Sequence, residues 1–64
     1  MITLTRLNGR TVVVNAEMIK FIEATPDTMI TLTQGDHFMV QEDVDDVVAR
    51  AVEYARRVRA FQVA

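Results

Sequence analysis

Few side chains in this sequence could do chemistry. His37 is the single histidine, and serine and cysteine are both absent, so it has no such nucleophile to activate. A lone strand histidine of this kind reads as a surface residue. The acidic run Glu42, Asp43, Asp45 and Asp46 could suggest a cation site. It lacks the alternating oxygen-ligand spacing and the glycine of a calcium loop, and negative charge at a helix start accounts for it. Arg56, Arg57 and Arg59 could meet phosphate or an acidic surface, but two of them point away from the apolar stripe of their helix and read as a solvated helix end. Asn8-Gly9 could pass for a nucleotide loop, and Thr25-Pro26-Asp27-Thr28 for a recognition loop. Turn chemistry accounts for both. One histidine and no cysteine exclude a thiolate zinc site and a histidine metal cluster. The expectation is a protein that is not an enzyme and uses no cofactor or metal.

Composition narrows the class further. Sixty-four residues make one domain, 1–64, with no room for a second. A chain this short buries only about 60% of its unfolded surface, so its core is marginal. Without staples, such chains often gain stability by oligomerising, and an apolar share of 50% points the same way. A homo-oligomer, dimer or trimer, is expected. The net charge of −2 argues against a general nucleic-acid binder. No apolar run approaches the ~20 residues of a membrane helix, so no membrane insertion is expected. Met1 leads almost directly into a strand with no leader pattern, which suggests a cytoplasmic protein.

The elements that must carry these residues can be placed from their patterns. Ile2-Thr3-Leu4-Thr5-Arg6 alternates as a first strand, and Thr11 to Val14 forms a second. Asn8-Gly9 between them signals a two-residue hairpin loop, which sets Leu4 opposite Val13 and places both with Ile2 on one face. Asn15 suits the cap of a single helical turn. Met18 to Glu23 reads as a third strand with Ile19 and Phe21 on one face, leaving Ile22 apolar on the face that should be wet. Together with Met18, Met29, Val12 and Val14, Ile22 could then form an apolar patch buried against a partner subunit. Pro26 and Asp27 suit the centre of a turn, and Ile30 and Leu32 alternate on the strand after it. A three-residue loop Gln34-Gly35-Asp36, with a left-handed residue at or near Gly35, sets Leu32 opposite Phe38 and Ile30 opposite Val40.

The remainder, about 43–60, is a helix. Asp43 is its N-cap, acids lie in its first turn and arginines in its last turns. Asp46 with Arg50 and Glu53 with Arg57 are i,i+4 pairs in the favourable order. Val44, Val47, Val48, Ala51, Val52, Ala55 and Val58 make the apolar stripe. About eighteen helical residues span ~27 Å, and short strands span ~17–20 Å, so the helix should overhang its sheet. Tyr54, Val58 and Phe61 line its flank and could complete a core, its own or a twin's, or form a binding groove. The expected fold class is α+β: an antiparallel sheet of about five strands over about 1–41, made of two hairpins plus a connecting strand, with one C-terminal amphipathic helix packed on one face.

Several of these segments resemble one family. Ile2-Thr3-Leu4-Thr5-Arg6-Leu7-Asn8-Gly9, then Asn15, Ile22-Glu23-Ala24-Thr25-Pro26-Asp27-Thr28, Ile30-Thr31-Leu32, Gly35, Val40 and Glu42 are similar to the FlbD family of small flagellar proteins, also called swarming-motility protein SwrD. The resemblance covers about residues 1–48. It departs at Lys20, where the family often has an acid, and at Asp36, where it often has a lysine, and the arginine-rich end after Ala55 lies outside the shared pattern. The resemblance implies a cytoplasmic accessory factor of flagellar motility, associated with the flagellar base, that acts by protein–protein interaction on a motor or stator protein to support swarming. It assigns no catalytic residues. The alternative is a small β-rich RNA-binding regulator of motility genes, disfavoured by the acidic charge and the lack of a basic, aromatic strand face. Among the motif residues Arg6 lacks an obvious structural need; it could pair with Glu17 or Glu23, or contact a partner. The candidate partner or oligomer surface is therefore Arg6, Ile22, Met29, Tyr54, Val58 and Phe61.

Overall fold

Alternating apolar residues and two glycine turns build the β part of the chain, and a late apolar stripe builds its helix. The computed structural model describes residues 1–24 and 26–62, the side chains of 60–62 excepted. In order it contains β1 (Ile2–Thr5), β2 (Thr11–Val14), a 3₁₀ turn (Ala16–Met18), β3 (Ile19–Ala24), β4 (Thr28–Leu32), β5 (His37–Val40) and α1 (Val44–Gln62). The class is α+β, as expected, but the strands do not form one sheet. β1 and β2 make a two-stranded antiparallel sheet, and β3, β4 and β5 make a three-stranded one. A single bridge between Arg6 and Val40 links them.

The hydrogen bonds of β1 explain the division. Arg6 N–H donates to the Arg10 carbonyl at 2.8 Å, so the even residues of β1 bond β2. The backbone groups of Thr3 and Thr5 therefore point to the opposite edge. There the Thr3 carbonyl accepts from Arg50 Nη1 at 2.6 Å, and Thr5 N–H donates to Glu42 Oε1 at 2.9 Å. Only the Thr5 carbonyl meets backbone, accepting from Gln41 N–H at 2.7 Å. Side chains of the helix and its leading loop occupy the edge that β5 would need.

Both hairpin registers differ from the sequence reading. In the first, Leu4 faces Val12 and Thr5 faces Thr11, a shift of one residue from the expected pairing of Leu4 with Val13. The loop has three residues, Leu7-Asn8-Gly9, closed by Gly9 N–H to the Arg6 carbonyl, with Gly9 at φ +88 and, among the described residues, only glycines at positive φ. A type I′ turn would need Asn8 at positive φ too; a turn followed by one left-handed glycine does not. The one-residue shift exchanges faces, so Val14 is buried and Val13 is 62% exposed. In the second, Ile30 faces Phe38 and Thr28 faces Val40 across a loop Thr33-Gln34-Gly35. This is two residues from the expected register, so every side chain keeps its face. Gly35, at φ +100, takes the expected left-handed role.

Gly35→Ala should destabilise the chain by about 1–2 kcal/mol through backbone conformation alone, because an added Cβ would meet nothing within 4 Å. Denaturant unfolding would measure this, and Gly35→Asn should recover part of the loss since asparagine tolerates left-handed backbone. A neutral alanine would mean that the loop does not depend on that conformation.

The third strand carries a further correction. Ile19 faces Leu32 but Phe21 faces Thr31, so Lys20 is an extra, unpaired residue. A bulge of this kind resets the alternation. Ile19 and Ile22 both turn inward against the core, and Phe21 is left 53% exposed. The expected turn Thr25-Pro26-Asp27-Thr28 includes Thr25, which lies outside the described residues; Ala24 and Thr28 face each other across it.

The core forms where the inner faces of the two sheets meet the start of α1: Ile2, Leu4, Val14, Ile30, Val40 and Val47. At Ala16–Met18, Asn15 Oδ1 accepts from Glu17 N–H at 3.1 Å, the cap expected of it. The Asp43 carbonyl accepts the first helical bond from Val47 N–H. Both expected helix pairs form, Arg50 to Asp46 at 3.1 Å and Arg57 to Glu53 at 3.3 Å. The stripe is wider than the core uses. Val47 is buried, Val44, Ala51, Tyr54 and Val58 are half-buried, and Val48 and Val52 are 43% and 49% exposed.

Candidate interaction surface

Arg6 sits where the two sheets touch. Its backbone forms the bridge to Val40, and its guanidinium carbon lies 5.1 Å from the centroid of the Phe38 ring. The ring face carries partial negative charge and attracts the cation. Among the described residues Arg6 makes no ion pair with Glu17 or Glu23, so neither expected partner is the one it uses. Its structural need is this ring, which the sequence could not identify because Phe38 is 32 positions away. An open cleft lies beside it, lined by Val12, Leu32, His37 and Phe38 among others.

Within the acidic run, Asp45 and Asp46 lie in the first turn of α1, whereas Glu42 turns away from the helix. Its side chain, 12% exposed, turns to β1 and takes two hydrogen bonds from Thr5, from N–H at 2.9 Å and from Oγ1 at 2.8 Å. Arg50 Nη1 stands 3.8 Å from Oε2. Burial pushes the Glu42 carboxyl up. The bonds from Thr5, its own N–H and the Arg50 charge together outweigh that and hold it below the usual glutamate value. Glu42, Thr5 and Arg50 thus form a polar clasp between the first strand and the helix. It ties Thr5 on β1 to Glu42 and Arg50 at the start of the helix, which is a structural role.

The outer face of the three-stranded sheet is different. Glu23, Met29 and Met39 lie opposite one another across the strands, with Phe21, Thr31 and His37 in the next row. Met29 and Met39 are half-buried and Phe21 is exposed, its ring 5.3 Å from Lys20 Nζ. The face thus carries apolar side chains with charged ones at its margin. Met29 lies on this outer face. Ile22 does not, because the Lys20 bulge turns it inward, and Phe21 takes its place.

Tyr54 and Val58 come together on the flank of α1. With Ala16, Glu17, Ala51, Ala55 and Arg59 they line an open groove of about 350 Å³ between the helix and the 3₁₀ turn. Tyr54 packs against the chain's own core. The side chain of Phe61, expected to extend this row, lies outside the described residues. The candidate residues therefore occupy separate places: Arg6 at the junction, Met29 on the outer sheet face, Tyr54 and Val58 on the helix flank.

Among the described residues no group of three histidine, cysteine, aspartate or glutamate side chains could hold a metal ion, and no helix is long and apolar enough to cross a membrane. What the fold presents is a small α+β protein whose distinguishing features are solvent-facing apolar surfaces. The chain belongs to the FlbD family, flagellar and swarming motility proteins, whose sequence model matches residues 1–59. The match runs beyond the resemblance read from the motifs, and Arg56, Arg57 and Arg59 fall inside it. No curated protein and no solved structure matches the chain.

Proposed function

We propose that this chain is a non-enzymatic accessory protein of flagellar motility. It works in the cytoplasm at the flagellar base, as a homo-oligomer, by protein–protein contact that supports motor and stator power during swarming. The family match over residues 1–59 carries this reading. The outer face of the β3–β5 sheet supports it: Phe21, with Met29 and Met39, offers apolar area to a protein partner without any group suited to bond-making chemistry.

Single-motor torque under high load, measured with a count of flagella, tests it. Cells lacking the gene should keep their flagella and lose torque, and Phe21→Glu at normal protein level should reproduce the loss. Fewer flagella with normal torque per motor would overturn the stator reading in favour of assembly or expression control. Salt-sensitive retention of RNA by the purified protein would then mark the RNA-binding alternative.

A further inference from the structure

We propose that α1 is the dimerisation element, pairing antiparallel with α1 of a second copy across a two-fold axis near Val52. The inference rests on the homo-oligomer reading above and names its surface.

The unused stripe of α1 carries the argument. Asp45, Val48, Val52, Arg56 and Arg59 recur at intervals of three and four, so they share one helix face, roughly a third of a turn away from the core-facing Val47. Val48 and Val52 are exposed, as are the three charged residues. Along the helix the face reads acid, apolar, apolar, base, base. Such a face is complementary to its own reversed copy. With Val52 opposite Val52, antiparallel pairing sets Asp45 opposite Arg59 of the second copy, and Val48 against the alkyl stem of Arg56 of the second copy. The helix dipoles then oppose each other, which also favours the pairing. The neighbouring charges are already committed: Asp46 bonds Arg50, and Glu53 bonds Arg57. Among the described residues Asp45, Arg56 and Arg59 make no ion pair.

The size of the molecule supports a second copy as occupant. The accessible surface is 4667 Å², about 500 Å² more than a compact monomer of this mass would show. The radius of gyration is 12.1 Å, against roughly 10.7 Å expected for a globule of this length. Two such chains carry about 1,000 Å² of excess surface, the lower bound of a specific interface. The dimer should accordingly dissociate on dilution.

The test is molar mass by light scattering across a dilution series, with circular dichroism to confirm folding. The wild type should approach twice 7.3 kDa at high concentration. Val52→Asp should stay folded near 7.3 kDa. Asp45→Arg or Arg59→Asp alone should weaken the dimer at least tenfold, and the two together should restore it. Because the chain has no cysteine, Val52→Cys gives a second readout: it should cross-link into a disulfide dimer much faster than Val13→Cys, which is exposed elsewhere. A monomeric wild type at every concentration would overturn both the homo-oligomer reading and the helix pairing. A dimeric Val52→Asp, a double swap that fails to restore association, or equal cross-linking at the two cysteine positions would overturn the helix pairing alone and leave the homo-oligomer standing. None of these outcomes bears on the motility role, which the torque measurement addresses separately.

Discussion

Ile30→Ala is expected to cost about 2–5 kcal/mol, the range for emptying a fully buried aliphatic site. Ile30 is 0% exposed and stands between Ile22 and Phe38, its direct neighbours on the flanking strands. A domain of this length holds about 3–10 kcal/mol in total, so the substitution removes a large part of its stability. The melting temperature should fall by more than about 10 °C. Calorimetry or thermal circular dichroism would measure the shift. The same experiment tests the register of the first hairpin. Val12 packs on the core and Val13 does not. Val13→Ala should stay within about 0.5 kcal/mol of wild type, and Val12→Ala should cost clearly more. The reverse order would restore the two-residue Asn-Gly loop.

The second large effect belongs to Glu42. Glu42→Ala leaves Thr5 N–H and Oγ1 without their acceptor and Arg50 without one of its two carboxylates. The expected loss is about 1–3 kcal/mol, roughly 4–8 °C in melting temperature per kcal/mol. Its pH dependence has a definite sign. The folded carboxyl is held below the value it takes in the unfolded chain, which is near 4.5. The unfolded state therefore binds the proton first as pH falls. Glu42 contributes fully above that value, and its contribution fades as pH drops through the lower folded one. The stability gap between wild type and Glu42→Gln should be constant near neutrality and shrink in acid. Urea titrations at several pH values would show it, and a gap that widened in acid would contradict the clasp.

Much of the secondary structure was legible because it rests on local chemistry. The period-two runs marked β1 to β5, Asn15 marked its own cap, Gly35 marked a left-handed turn, and Asp46–Arg50 and Glu53–Arg57 marked a helix face. The motif residues from Ile2 to Glu42 also sufficed to recognise the family. Faces were less legible. Asn8-Gly9 fits two loop lengths, and sequence statistics favour the shorter. The observed three-residue loop keeps Asn8 at negative φ and puts Val12 and Val14, rather than Val13, inward. On β3 the bulge at Lys20 has no local signal; it lets Ile19 and Ile22 both reach the core, which strict alternation forbids. Phe21 is exposed for that reason, and the outer sheet face was misread with it.

By itself the sequence determined the fold class, the order of its elements, the charges at the two ends of the helix and the family. Each depends on propensity, periodicity or motif, which act over a few residues. Tertiary structure alone decided that the strands split into two sheets, that Arg6 answers Phe38, and that Glu42 and Arg50 close the edge of β1. It also decided that Val48 and Val52 face solvent. These outcomes hang on pairings 32 to 47 positions apart. At that distance the choice between partners is made by which buried polar groups find acceptors and which apolar faces close together, and both are properties of the assembled chain.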